Sequence, residues 1–173
     1  MQGLVSSWKS VGAGRSSGCA LWRADRQGRS ILLAEPHSYM NESGVPLTDL
    51  IRSLGLGLDR FLILHDEIDL PLGRAQFKRG GSSAGHRGVD SLYQQLGETD
   101  FYRLRIGIGR HATARVKDYV LSDFSREEMG ILQSEIPIWS GGLEEWIKGS
   151  PGKAAQIINT PPTSDPIDIP PAA

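Results

Sequence analysis

The sequence predicts a single α/β domain built on a mixed, mostly parallel twisted sheet flanked by helices. Two short apolar runs, Ile31-Leu32-Leu33-Ala34 and Phe61-Leu62-Ile63-Leu64, have the length and composition of buried strands. Segments with apolar residues at helical spacing follow them, and this alternation of strand and helix is the pattern of an α/β layer structure. A chain of 173 residues suits one such domain with one core.

Residues 1–30 form a basic, serine-rich N-terminal segment, with Lys9, Arg15, Arg23, Arg26 and Arg29 set against one acid, Asp25. That composition is shared by organellar transit peptides. The alternative is a basic surface segment opening a shortened domain, and Ala20-Leu21-Trp22 has the look of strand material. The domain proper is expected over 31–158. Its first strand, Ser30–Glu35, stops at Pro36. Val45, Leu47, Leu50, Ile51 and Leu54 then fall at helical spacing, with Gly55 and Gly57 as a stop. Phe61–Leu64 reads as a strand buried on both faces, and Arg74–Arg79 as a half-exposed strand with Ala75 and Phe77 inward. A glycine-rich loop, Gly80–Gly88, leads to an amphipathic helix carrying Val89, Leu92, Tyr93 and Leu96. Leu104–Ile108 alternates as a strand does. Ser125 and Glu128 make a capping box that opens a helix, which Gly130 and Pro137 are expected to interrupt. Residues 159–173 hold five prolines and few large apolar side chains, so they are expected to be a disordered tail.

Composition narrows the function classes. A net charge of −1 excludes a uniformly basic protein while leaving room for a local basic face. One cysteine, Cys19, excludes an internal disulfide framework and a cysteine-rich zinc site, and fits a reducing compartment. No apolar run approaches the ~20 residues of a membrane span.

Candidate site residues gather at strand ends, where open α/β sheets place their ligands. Asp66 follows an apolar run, and a half-buried carboxylate there can orient an imidazole or cap a backbone turn. A metal site from His65, Asp66, Glu67 and Asp69 is disfavoured, because alternation along a strand turns Asp66 away from His65 and Glu67. Asn41 can present an amide to a ligand or cap a helix, and Met40 beside it can wall a pocket or join the core. The Gly80–Gly88 loop gains weight as a phosphate or nucleic-acid site from Lys78, Arg79, His86, Arg87, Arg103, Arg105 and Arg110 around it. The alternative is a solvated basic face.

Taken together, Pro36–Gly44 (Pro-His-Ser-Tyr-Met-Asn-Glu-Ser-Gly), His65–Gly73 (His-Asp-Glu-Ile-Asp-Leu-Pro-Leu-Gly), the Lys78–Gly88 loop and Arg103–Gly109 resemble the bacterial-type peptidyl-tRNA hydrolases in order and spacing. The resemblance runs from about Leu32 to Phe124, more loosely to Lys153. It implies an esterase that splits a peptide from the ribose of tRNA to recycle stalled tRNA. In that family a histidine activates water and an aspartate holds it; Asp66 falls on the aspartate. Tyr39, Met40 and Asn41 fall on substrate-lining positions, and Lys78 and Arg105 on residues that clamp the terminal phosphate. His86 and Arg87 fall within the substrate-binding loop. Peptidyl-tRNA is the implied partner of a monomer, with no metal or other cofactor, in the cytoplasm or, for a eukaryotic chain, in a mitochondrion or plastid. Two departures stand out. The opening strand, its Gly-Asn-Pro-Gly loop and the segment with the catalytic histidine are not matched, and none of His37, His65, His86 and His111 takes that position. The chain thus reads as N-terminally incomplete, a truncated form or short isoform, with Asp66 lacking its histidine. In addition, the loop's usual asparagine is Arg87, which keeps donors but loses the acceptor. A non-catalytic RNA-binding relative is the alternative function.

Overall fold

The computed structural model describes residues 2–110 and 119–161. A short helix α1, Gln2–Ser7, precedes three strands, β1 Val11–Ser16, β2 Cys19–Arg26 and β3 Arg29–Pro36, which pair antiparallel in that order. Ser17-Gly18 and Gln27-Gly28 both have positive φ at each of their two residues. That is the turn geometry whose twist matches a two-residue hairpin, so it joins neighbours in the only sense so short a link permits, antiparallel. The basic segment 1–30 is thus mostly sheet. On β2, Cys19, Leu21 and Ala24 are buried, whereas every residue of β1 is exposed.

A 3-10 turn, Met40–Glu42, and helix α2, Gly44–Ser53, lead to the second sheet. It contains β4 Leu62–Glu67, β5 Ala75–Arg79 and β6 Tyr102–Gly107 in the order β4-β6-β5. Helix α3, Arg87–Leu96, lies on the connection from β5 to β6. The β4–β6 pair is parallel and β5–β6 antiparallel. The expected mostly parallel sheet is therefore corrected: the α/β class and the mixed pairing hold, but among the described strands β4–β6 is the one parallel pair, and β1–β2, β2–β3 and β5–β6 are antiparallel.

Helix α4, Arg126–Ile147, opens on Ser125, whose hydroxyl accepts from Glu128 N–H while the Glu128 carboxylate accepts from Ser125 N–H. Contrary to expectation it continues unbroken through Gly130 and Pro137. An internal proline costs roughly 3 kcal/mol. Burial of Trp139, Leu143 and Ile147 on the same helix offsets that, at about 1.5–3 kcal/mol per large apolar side chain. Helix α5, Pro151–Ile158, completes the layer.

Helices from the two ends of the chain cover both sheets. Trp8, Ala24 and Leu33 share a cluster with Ala75, Phe77 and Leu104 beneath Trp139, Leu143, Ala154 and Ile158. Leu47 of α2 packs against both clusters on the opposite face, one around Leu21 and one around Phe61 and Leu92. Gly44 sets the fit of α2 to α3: a Cβ there would stand 2.2 Å from the Ser91 carbonyl oxygen, and its N–H donates to Ser91 Oγ at 3.0 Å. Asn159, assigned to the tail by composition, is bound into the fold. Its side chain accepts from Phe77 N–H at 2.7 Å and donates to the Phe77 carbonyl at 3.1 Å. Residues 162–173 of the expected tail, and His111, lie outside the described residues.

Candidate active site

Strand alternation at the end of β4 decides which side chains meet. His65 and Glu67 are buried, while Asp66 points the other way and keeps 35% of its side chain exposed. Its Oδ1 lies 3.0 Å from Nε2 of His86, twenty residues on. His86 is also the N-cap of α3, where Nδ1 accepts from Val89 N–H at 3.2 Å. A ring nitrogen that accepts carries no proton, so the proton sits on Nε2 and is donated to Asp66. Asp66 is therefore not without an imidazole, as the sequence suggests; the imidazole it has is spoken for at both nitrogens. Burial pulls the Asp66 carboxyl upward, but the His86 hydrogen bond and the pull of that ring outweigh it, and the group lies below its ordinary value.

His65 sits edge-on to His86, with ring centroids 4.8 Å apart. Its Nδ1 is 2.7 Å from the Asp66 carbonyl oxygen, an acceptor, so Nδ1 carries the proton. Burial, aided by the charge of Arg103, outweighs the hydrogen bond to the Asp66 carbonyl and lowers its pKa to about 4. The ring is neutral at physiological pH.

Glu67 binds Arg105 through Oε2, at 3.0 Å from Nε and 2.7 Å from Nη2, and its Oε1 accepts from Asp69 N–H. Arg105 also donates to Gln76 Oε1. Asp69 in turn pairs with Arg110 at 2.6 Å. With Glu67 and Asp69 each tied to an arginine, and Asp66 facing away, the four side chains of the metal reading do not converge.

Met40 joins the Asp66–His86 pair: a Cβ at Gly88 would stand 2.7 Å from Met40 Sδ and 3.1 Å from His86 Cε1. Tyr39 is exposed and frames the same edge. Asn41 is exposed within the 3-10 turn, and its amide has no partner among the described residues. It caps neither that turn, whose N-cap position is Tyr39, nor α2, whose N-cap position is Ser43. Arg87 is exposed at the start of α3. The Lys78 ammonium lies against Gly81, 2.7 Å from where a Cβ would be. Burial, then the charges of Arg103 and Arg105, hold its pKa below the ordinary value.

One wall escaped the sequence reading. Asp66 opens on a cavity of about 230 Å³ whose other side is formed by Ile108, Tyr119, Val120 and Phe124 together with Ser122, Asp123 and Glu128. The signal was the cluster Tyr119-Val120-Leu121 with Phe124, apolar residues without strand or helix periodicity ahead of a capping box. The arrangement offers an ionised carboxylate with one oxygen fixed by the His86 N–H and, among the described residues, no second side-chain donor, beside a wall of mixed apolar and acidic side chains and a basic loop. It can align a water, or an imidazole that activates one, against a substrate held by phosphate.

A family profile described as peptidyl-tRNA hydrolase matches residues 3–165. The chain is 33% identical over 163 residues to a peptidyl-tRNA hydrolase of Desulfotalea psychrophila, spanning 91% of this chain and 83% of that one. It is 36% identical over 157 residues to one of Aquifex aeolicus, spanning 90% and 82%. Among solved structures, the peptidyl-tRNA hydrolase of Acinetobacter baumannii superposes with a TM-score of 0.84 at 25% identity, over 92% of this chain and 82% of that one. A peptidyl-tRNA hydrolase complexed with N-propanol gives 0.86 at 25% identity, over 94% and 84%.

Proposed function

The chain belongs to the peptidyl-tRNA hydrolase family, hydrolases of ester bonds, and from that we propose how its own residues serve the reaction. The substrate is the ester between a peptide and the terminal ribose of tRNA; water adds to the ester carbonyl, and the products are a free peptide carboxylate and a tRNA hydroxyl. The observation that carries the reading is the Asp66–His86 pair at the mouth of the cavity. His86 cannot take a proton from water while Nδ1 caps α3, so its part is to hold Asp66. The second Asp66 oxygen is the acceptor that aligns the attacking water, or the imidazole that deprotonates it. Tyr39, Met40 and Asn41 seat the peptide end of the substrate, while Lys78 and Arg87 face its phosphates. Arg105 backs the site through Glu67, fixing the strand end that carries Asp66. The relatives compared are named as hydrolases, and the non-catalytic RNA-binding alternative has no support among them. Among the described residues no helix is long and apolar enough to cross a membrane, and a cytoplasmic monomer is the working form.

The test is release of N-acetyl-aminoacyl groups from tRNA by the chain and by Asp66→Asn. The variant keeps shape but loses the anionic acceptor, and its rate should fall by at least about 10²-fold. Equal rates for the two would overturn the assignment of Asp66, and absence of cleavage by the unaltered chain would overturn the activity.

A further inference from the structure

The four carbonyls that lead from β5 toward His86 are all engaged. Arg103, fully buried on the central strand β6, donates through Nη2 to the carbonyls of Gly80 at 2.7 Å and Ser82 at 2.9 Å. Tyr93 Oη, from α3, donates to the carbonyl between them, Gly81, at 2.6 Å. The guanidinium carbon of Arg103 lies 5.9 Å from the Tyr93 ring centroid, so the two donors stand together. The fourth carbonyl, that of Ser83, accepts from His86 N–H at 3.1 Å. This bond closes a tight turn whose central residues, Ala84 and Gly85, both have positive φ, +53° and +81°. Alanine rarely adopts that region, and it stays there only where its surroundings over-determine the backbone. The clamp on one side of the turn and helix α3 on the other supply that constraint.

The turn delivers a ring with no freedom left. His86 Nδ1 accepts from Val89 N–H and Nε2 donates to Asp66, so a shift of its main chain cannot be absorbed by rotating the imidazole without losing one of the two bonds. Arg103 is costly as mere scaffolding. Among the described residues no carboxylate lies within ion-pair distance of it, and its Nε and Nη1 are buried without acceptors. Such a cation adds little to stability compared with an apolar side chain of similar volume. Its retention is accounted for by what it does to the turn.

We propose that Arg103 and Tyr93 are positioning residues for the hydrolysis: by holding the carbonyls of Gly80, Gly81 and Ser82 they fix where the Ser83–His86 turn starts, and with it the aim of His86 at Asp66. That this aim serves ester cleavage rests on the function proposed above; the hold on Asp66 does not.

Two readouts test the clamp, and the first needs no substrate. The Asp66 carboxyl is titrated through its carbon-13 resonance in the labelled full chain. The His86 hydrogen bond keeps that group below its ordinary value against the upward pull of burial, so a misaimed ring should let its midpoint rise. Tyr93→Phe keeps the ring beside Arg103 and removes one donor; Arg103→Lys keeps the charge and loses the fork; Arg103→Met removes both carbonyl bonds. Each should raise the midpoint, Arg103→Met most; if Arg103→Met does not fold, the other two carry the test. In hydrolysis, Tyr93→Phe should lower kcat roughly threefold to tenfold, the value of one hydrogen bond, with KM within twofold. Placed on Asp66→Asn it should lower kcat no further, because its effect passes through Asp66. An Asp66 midpoint unmoved in Tyr93→Phe and Arg103→Lys would overturn the proposal. So would a rise in KM in place of the fall in kcat, or an equal loss with and without Asp66. A raised midpoint with kcat unchanged would uphold the clamp and overturn the part given to Asp66 in the reaction.

Discussion

Replacing His86 by asparagine and by alanine separates its two hydrogen bonds. Alanine removes both the cap on Val89 N–H and the donor to Asp66. Loss of a cap costs about 1 kcal/mol. A hydrogen bond to a charged group is worth about 1.5–3 kcal/mol, and with 35% of the Asp66 side chain in water the lower end applies. His86→Ala should therefore lose about 2.5 kcal/mol. Asparagine is among the best N-caps but too short to reach Asp66, so His86→Asn should recover about 1 kcal/mol of that. The remaining deficit is pH-dependent in a defined sense. The Asp66 carboxyl is held below its ordinary value in the fold, so its contribution is present above the unfolded-state pKa of about 3.9 and is lost as pH falls through the folded value. The gap between His86→Asn and the unaltered chain should close over that acid range. Urea unfolding followed by circular dichroism at neutral and acid pH measures it, and hydrolysis supplies the second readout: both variants release Asp66 and should be impaired alike. Asparagine no more stable than alanine would refute the cap and with it the deduced tautomer. Unimpaired hydrolysis by His86→Asn would refute the claim that His86 aims Asp66.

Two further outcomes follow from buried groups. His65, whose folded pKa is about 4, stays neutral in the fold while the unfolded chain takes up a proton below about 6.5. Stability should fall by roughly 3 kcal/mol as pH drops from 6.5 to 4, at 1.36 kcal/mol per unit, and His65→Leu should lack this slope in urea midpoints measured across the range. Gly44→Ala would drive a Cβ to 2.2 Å from Ser91 O and should cost about 1–3 kcal/mol in the same unfolding assay; unchanged stability would mean that α2 can retreat from α3.

The sequence was informative wherever one local signal decided the outcome. Leu62–Leu64, Phe77 and the Val89–Leu96 stripe announced strand, strand and helix, and the Ser125–Glu128 box formed as written. The N-terminal hairpins were less legible, because β1 has Val11 as its one large apolar residue and Gln27-Gly28 is not a strong turn pair. Pro137 argued locally for a break, and distant burial of Trp139 and Leu143 overrode it. At the site, Asp66 was visible from its place after an apolar run. Its partner was not, since twenty residues separate it from His86 and periodicity is silent on such pairs. Nor could a row of charges show that Arg105 is spent on Glu67 while Arg87 is left to solvent.

Asn159 has a meaning beyond the closure of α5. Strand β5 borders its sheet on one side only, and Phe77 N–H and C=O face outward from it. An open strand border of this kind is a template on which another chain can add itself. The Asn159 amide offers one donor and one acceptor, as a neighbouring peptide unit would, and occupies that place with a side chain that cannot be extended. Helix α5 therefore acts as a stopper, closing this border of the sheet to growth by other molecules of the same protein.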